Sequence, residues 1–218
     1  MDEPLRPEFE TAALVTIDIQ ADTLEGQPLE VPGTRQALGN IARLGQAFRS
    51  SGRPIVHVVR LYLADGTNVE PSRQALVRGA LPVLRPGTPG RLLAPGVAPE
   101  TAPDLEDQLL LAGGVQYLGD HEVVLYKPRW GAFYGTCLDE HLHAAGVTTL
   151  VFAGCNFPNC PRASIYEASE RDYRAVLVSD AVSGVYDRGI AELAAIGVPS
   201  LTTDEVLAGL ALALTGVS

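Results

Sequence analysis

The chain has 218 residues, enough for one large domain or two small ones with a sizeable core. With 46% hydrophobic and 19% charged residues it has the composition of a globular protein, not of a disordered or fibrous one. The formal net charge of −10 argues against nucleic acid or an anionic membrane surface as partner, since both are held by clustered cations. Three cysteines, Cys137, Cys155 and Cys160, give no disulfide framework and suit a reducing, cytoplasmic setting. The start, MDEPLRPEFE, is unlike a signal peptide, and the apolar run from Val206 to Leu214 is too short to span a bilayer.

Residues 12 to 17 (AALVTI) are apolar between Thr11 and Asp18 and predict a buried parallel strand. Leu38, Ile41, Leu44, Ala47 and Phe48 recur at helical spacing over 34 to 50, and Ser51-Gly52 ends that helix. A second strand is predicted at 54 to 59 (PIVHVV), where His57 reads as a satisfied core histidine. The stretch from about 61 to 121 is rich in Pro and Gly and yields only short helices near 70 to 78 and 104 to 112. Strands follow at 122 to 126, 148 to 153, 175 to 179 and about 198 to 202. Helices are predicted at 135 to 145, from Cys160 to about 172, at 187 to 196, and after Thr203. Alternation of this kind predicts a three-layer α/β/α domain around a six-stranded, mostly parallel sheet. No repeat or interdomain linker is visible, so residues 1 to 218 read as a single domain.

Ligands of such sheets sit outside the carboxyl ends of the strands. The polar residues there are Asp18, Arg60, Lys127, the segment 154 to 160, and Asp180. Cys160 is followed by Pro161 and a helical pattern, which sets the thiol at a helix N-terminus. Unpaired N–H groups and the helix dipole favour an anion there, so the expectation is a lowered thiol pKa and a nucleophile. A thiolate attacks an acyl carbon, Asp18 would exchange its proton, and Lys127 would hold the carboxylate. A buried structural thiol is the alternative for Cys160, a turn cap for Asp18 and a solvated cation for Lys127. Gln20 stands where an aspartyl phosphatase of the haloacid dehalogenase type needs a second Asp. The run RPGTPG at 85 to 90 lacks the Gly-Lys-Ser/Thr of a phosphate loop. Trp130, Phe133 and Tyr134 could each be core, with Trp130 favoured as pocket wall.

LVTIDIQAD, GTPG at 87 to 90, VVLYKPRWGAFYGTCLDEHL at 123 to 142 and VFAGCNFPNC at 151 to 160 occur in the order found in one family. The chain resembles the isochorismatase-like cysteine hydrolases, which include nicotinamidase, N-carbamoylsarcosine amidase and streptothricin hydrolase. The resemblance implies strand order 3-2-1-4-5-6 and a catalytic Asp18, Lys127 and Cys160. It implies an oxyanion hole from the N–H groups of Asn156 and Cys160, and a cis peptide at Cys155-Asn156. It also implies a homo-oligomer, dimer or tetramer, acting on a small-molecule amide, carbamoyl compound or lactam through a thioester. Vinyl-ether hydrolysis by Asp18 and a catalytically silent binding protein are the alternatives. The turn Asn156-Phe157-Pro158-Asn159 departs from the small residues usual in the family. Phe157 is expected to narrow a substrate pocket lined also by Trp130, Phe133 and Tyr134, and Phe157-Pro158 offers a second candidate cis bond. Strand two lacks the Asp and His cluster of metal-binding nicotinamidases, so no catalytic metal and no cofactor are expected.

Overall fold

The computed structural model describes residues 5–216. Among them, strands β1 (Ala12–Ile17), β2 (Ile55–Val59), β3 (Val115–Gly119), β4 (Glu122–Tyr126), β5 (Thr149–Gly154), β6 (Arg174–Val182) and β7 (Ser200–Leu201) form one sheet. Their order is β3-β4-β2-β1-β5-β6-β7. Every neighbouring pair is parallel except β3 with β4. The expected order of six strands is therefore present, and a seventh extends it at one edge. That strand was missed because it is half exposed, and a bulge breaks its register between Tyr117 and Gly119. Only two residues, Asp120 and His121, turn it back into β4.

Helices α1 (Thr34–Ser50), α2 (Gln74–Val77), α3 (Asp107–Leu111), α4 (Leu138–Ala144), α5 (Cys160–Ser169), α6 (Asp187–Ala194) and α7 (Thr203–Thr215) complete the regular structure with short 3₁₀ turns. The two faces of the sheet are read directly from alternate residues of β1. Ala12 and Leu14 pack with Ile41, Leu44 and Phe48 of α1 and with Val206 and Leu210 of α7. Ala13, Val15 and Ile17 pack with Leu138 and Leu142 of α4, Ile165 and Ala168 of α5, and Leu193 of α6. This three-layer arrangement covers β1 and β5 on both sides, which is why their sequences are continuous apolar runs rather than alternating ones.

Local chemistry sets the helix limits. At the end of α1 the chain passes through Gly52 at φ 65°, and the N–H of Arg53 returns to the carbonyl of Phe48. A reciprocal capping box between Thr202 and Glu205 starts α7. The apolar C-terminal run is amphipathic, with Val206 and Leu210 buried and Leu212 and Leu214 exposed. None of the described helices is long and apolar enough to cross a membrane.

Candidate active site

Three strand ends meet at the carboxyl rim. β1 ends into Asp18, β4 into Lys127, and β5 into the turn that leads to Cys160. The Lys127 Nζ lies 2.9 Å from Asp18 Oδ2, and the lysine side chain is wholly buried. Burial works against its positive charge, but Asp18 and the Cys160 sulfur outweigh that and hold the ammonium above the ordinary lysine value. The ammonium also donates to the carbonyl of Arg129, at 3.2 Å. The second carboxylate oxygen, Asp18 Oδ1, is buried and has no hydrogen-bond partner among the described residues. A buried oxygen left so is costly unless something else uses it.

Asp18 occupies the left-handed region at φ 55°, which Asp tolerates better than most residues. Its carbonyl holds that turn by accepting from the N–H of Gln20 at 3.0 Å, Thr23 Oγ1 at 3.3 Å and the Cys155 thiol at 3.2 Å. Gly154, at φ 134°, brings the end of β5 against β1. A Cβ there would stand 2.2 Å from the carbonyl oxygen of Ile17, so no side chain is accommodated.

Beyond Gly154, the Cys155–Asn156 peptide is cis, the only such bond among the described residues, and Phe157–Pro158 is not. Cys160 is the first residue of α5, with Pro161 second. Neither the Asn156 nor the Cys160 backbone N–H donates to an acceptor among the described residues. The expected lowering of the Cys160 pKa is not what the structure gives. Burial and the Asp18 charge push the thiol up to about 12, against the pull of Lys127. Position at a helix N-terminus does not offset this burial, since Cys160 is only 5% exposed.

Asp18, Cys160, Asn156 and Cys155 line a small cavity, partly open to solvent. Arg60 and Trp130, both expected at this rim, form its other wall with Tyr62, Glu70, Arg73 and Leu84 from the irregular segment after β2. Arg60 is buried, pairs with Glu70, donates to the carbonyl of Arg129 at 2.6 Å and lies 5.1 Å from the centre of the Tyr62 ring. The sequence offered one signal for this wall, the polar Gln20 inside an apolar stretch. Gln20 is fully buried; its amide donates to the carbonyls of Arg60 and Arg91 and accepts from the Arg60 N–H, so it ties the segment to the sheet.

Of the expected pocket residues, Trp130 alone lines the cavity. Phe157 is fully buried away from it, edge-on to Tyr186 at 5.3 Å, in space left by Gly189. Phe133 belongs to the core beside Tyr173, and Tyr134 is 60% exposed. Asp180 caps Thr203 through two 2.8 Å hydrogen bonds and takes no part in the site. His57 is a satisfied core histidine, 2.7 Å from Thr16 Oγ1 on one side and 2.7 Å from Glu122 Oε1 on the other. Among the described residues no group of three or more His, Cys, Asp or Glu is arranged to hold a metal ion.

Fold and site together define an α/β protein with a thiol, an acid and an amine at a strand-to-helix turn. Residues 12–109 and 111–205 match the isochorismatase domain, and the chain belongs to the isochorismatase family. It is 34% identical over 178 residues to the maleamate amidohydrolase of Pseudomonas putida, covering 78% of this chain and 71% of that one. It is 29% identical over 203 residues to an Arabidopsis thaliana protein named a probable inactive nicotinamidase, covering 90% and 95%. The crystal structure of an isochorismatase family protein from Desulfovibrio vulgaris matches with a TM-score of 0.77 at 34% identity, covering 91% of this chain and 98% of that chain.

Proposed function

We propose that the protein is a metal-independent cysteine amidohydrolase that cleaves the C–N bond of a small-molecule amide through a thioester on Cys160. The enzyme class is hydrolase acting on carbon–nitrogen bonds other than peptide bonds. The observation that carries the mechanism is the buried Asp18–Lys127 pair, 2.9 Å apart, with Asp18 Oδ1 unpartnered and Cys160 at the same rim.

With the thiol pushed up to about 12, the resting sulfur is protonated at neutral pH. Attack and proton transfer are therefore coupled: sulfur bonds to the substrate carbonyl carbon as its proton passes to Asp18. Lys127 keeps the carboxylate placed and offsets charge that builds nearby. The carbonyl oxygen becomes an oxyanion, received by the free N–H groups of Asn156 and Cys160. Collapse breaks the C–N bond, and the nitrogen leaves with the proton held by Asp18. Water then attacks the thioester, gives a proton to Asp18, and releases the acid as the proton returns to sulfur.

A relative named as an amidohydrolase supports the C–N reading over ether hydrolysis. The intact cluster of acid, amine and thiol supports it over a silent binding role. The test is hydrolysis of a panel of primary amides, carbamoyl compounds and lactams by the wild type and Cys160→Ala. The expected result is a loss of at least roughly 10⁴-fold in the variant with an unchanged melting temperature. Turnover that survives in Cys160→Ala but dies in Asp18→Asn would replace the thioester with acid catalysis.

A further inference from the structure

Between β4 and α4 the chain runs as a loop, and its backbone serves the site at one point. The carbonyl of Arg129 accepts from Lys127 Nζ at 3.2 Å and from Arg60 Nη1 at 2.6 Å. Lys127 and Arg60 thus share one peptide acceptor, and whatever holds that peptide places both. The loop has no regular structure of its own to do so, since β4 ends at Tyr126 and α4 begins at Leu138.

The hold comes from α5, the helix that Cys160 begins. Ser164 is wholly buried there, and its hydroxyl is used twice. It donates to the carbonyl of Cys160 at 2.7 Å and accepts from the N–H of Ala132 at 3.0 Å. One turn on, Glu167 Oε2 accepts from the N–H of Phe133 at 2.9 Å. Gly131 permits that approach, because a Cβ there would stand 2.1 Å from the same oxygen. For the helix itself a serine at 164 has no advantage. Alanine has the higher helix propensity, and a serine bonded to the carbonyl four residues back slightly destabilises a helix. What the hydroxyl adds is the bond to Ala132.

Traced from atom to atom, these contacts form a path that returns to its start. It runs from Cys160 through Ser164 to Ala132, along the chain to the Arg129 carbonyl, and through Lys127 to Asp18, which lines the same cavity as Cys160. We infer that Ser164 is a positioning residue, which together with Glu167 locks the Lys127 loop to the helix of the nucleophile and so sets the thiol against the acid–amine pair. The inference rests on the proposed role of Cys160 as nucleophile, and the experiment scores the two separately.

Wild type, Ser164→Ala and Ser164→Thr are alkylated with iodoacetamide at neutral pH, and the rate at Cys160 is followed by peptide mass spectrometry. The sulfur–carbon bond forms as iodide leaves and the thiol proton passes to Asp18, so the rate reads the thiol against the acid and requires no substrate. Ser164→Ala is expected to slow it roughly tenfold or more, since a misplacement of about 1 Å can cost 10²-fold. Ser164→Thr keeps the hydroxyl and should restore the rate to within about threefold of wild type. With Asp18→Asn in place there is no base left to position, and adding Ser164→Ala should then change the rate by less than about twofold. A merely structural serine would slow both backgrounds alike. Equal slowing in both, a Ser164→Ala rate within about twofold of wild type, or a threonine no better than alanine overturns the inference. Melting temperatures are recorded alongside. If Ser164→Ala does not fold, Glu167→Ala, which cuts the half-buried second tie, takes its place in the same comparison with Asp18→Asn, scored the same way. Slowed alkylation beside a wild type that hydrolyses no amide sinks the amidohydrolase reading alone. Amide hydrolysis by the wild type beside unslowed alkylation sinks the Ser164 assignment alone.

Discussion

Two clusters of charge are buried in this sheet, and they differ in how completely they are paired. In one, His57 bridges Thr16 and Glu122, and Glu122 receives Arg49 through two hydrogen bonds of 2.6 and 2.7 Å. Both ring nitrogens of His57 thus have a partner. In the other, Asp18 meets Lys127 with a single oxygen and leaves Oδ1 buried and unpartnered, and a thiol sits beside it. The first has no capacity left to bind anything. The second leaves a carboxylate oxygen free beside a thiol. A buried polar network that is saturated is structural, and one that is short of partners is where a reacting molecule fits.

Substitution at Lys127 separates the two clusters most sharply. Lys127→Met leaves a buried carboxylate without its cation. It should lower turnover by at least roughly 10³-fold and cost about 3–5 kcal/mol in urea unfolding. Retained turnover would mean that the ammonium is scaffolding and that the contrast between the clusters is wrong.

At the saturated cluster the expectation is stability without chemistry. Hydrogen bonds and charge from Arg49 and His57 overcome the burial penalty and hold Glu122 at about 2, against an ordinary 4.5. As pH falls, the unfolded chain takes up this proton first. The stabilisation is thus complete above about pH 4.5, is lost progressively toward pH 2, and is worth on the order of 3 kcal/mol. Glu122→Gln should remove it and flatten the acid limb of a stability–pH curve, with turnover per folded molecule unchanged. An equally steep acid limb in the variant would show that other carboxylates govern acid unfolding. The smallest effect is expected at Thr16→Val, which deletes one hydrogen bond to His57. Chemical denaturation should register a loss of about 1 kcal/mol. A loss several times larger would show that Thr16 does more than satisfy one ring nitrogen.

How far the sequence alone reaches can be traced through the same residues. Asp18, Lys127 and Cys160 were legible because each follows an apolar run long enough to be a buried strand, and strand ends of one polarity share a rim. The cavity wall beyond Arg60 and Trp130 was not. Tyr62, Glu70 and Arg73 reach the site only because Gln20 and Asp22 bind backbone atoms of Arg60, Leu84 and Arg91, contacts 40 to 71 residues apart in the chain. Nothing in local periodicity reports such contacts. Phe133 and Phe157 were misassigned for a related reason. Nearness to a reactive residue in sequence does not tell which way a side chain turns, and the space that admits Phe157 is made by Gly189 on another helix. The pKa of Cys160 was misjudged because helix position is visible in sequence, whereas burial beside Asp18 is not.

Gln20 has a consequence for how chemistry and selectivity are divided in this chain. It clasps both ends of the stretch from Arg60 to Arg91, and between those anchors lie Tyr62, Glu70, Arg73 and Leu84 of the cavity wall. The clasp makes that stretch a cassette. Its interior can be rewritten, by natural drift or by a protein engineer, to reshape the cavity while the strand ends that carry Asp18 and Lys127 stay in register.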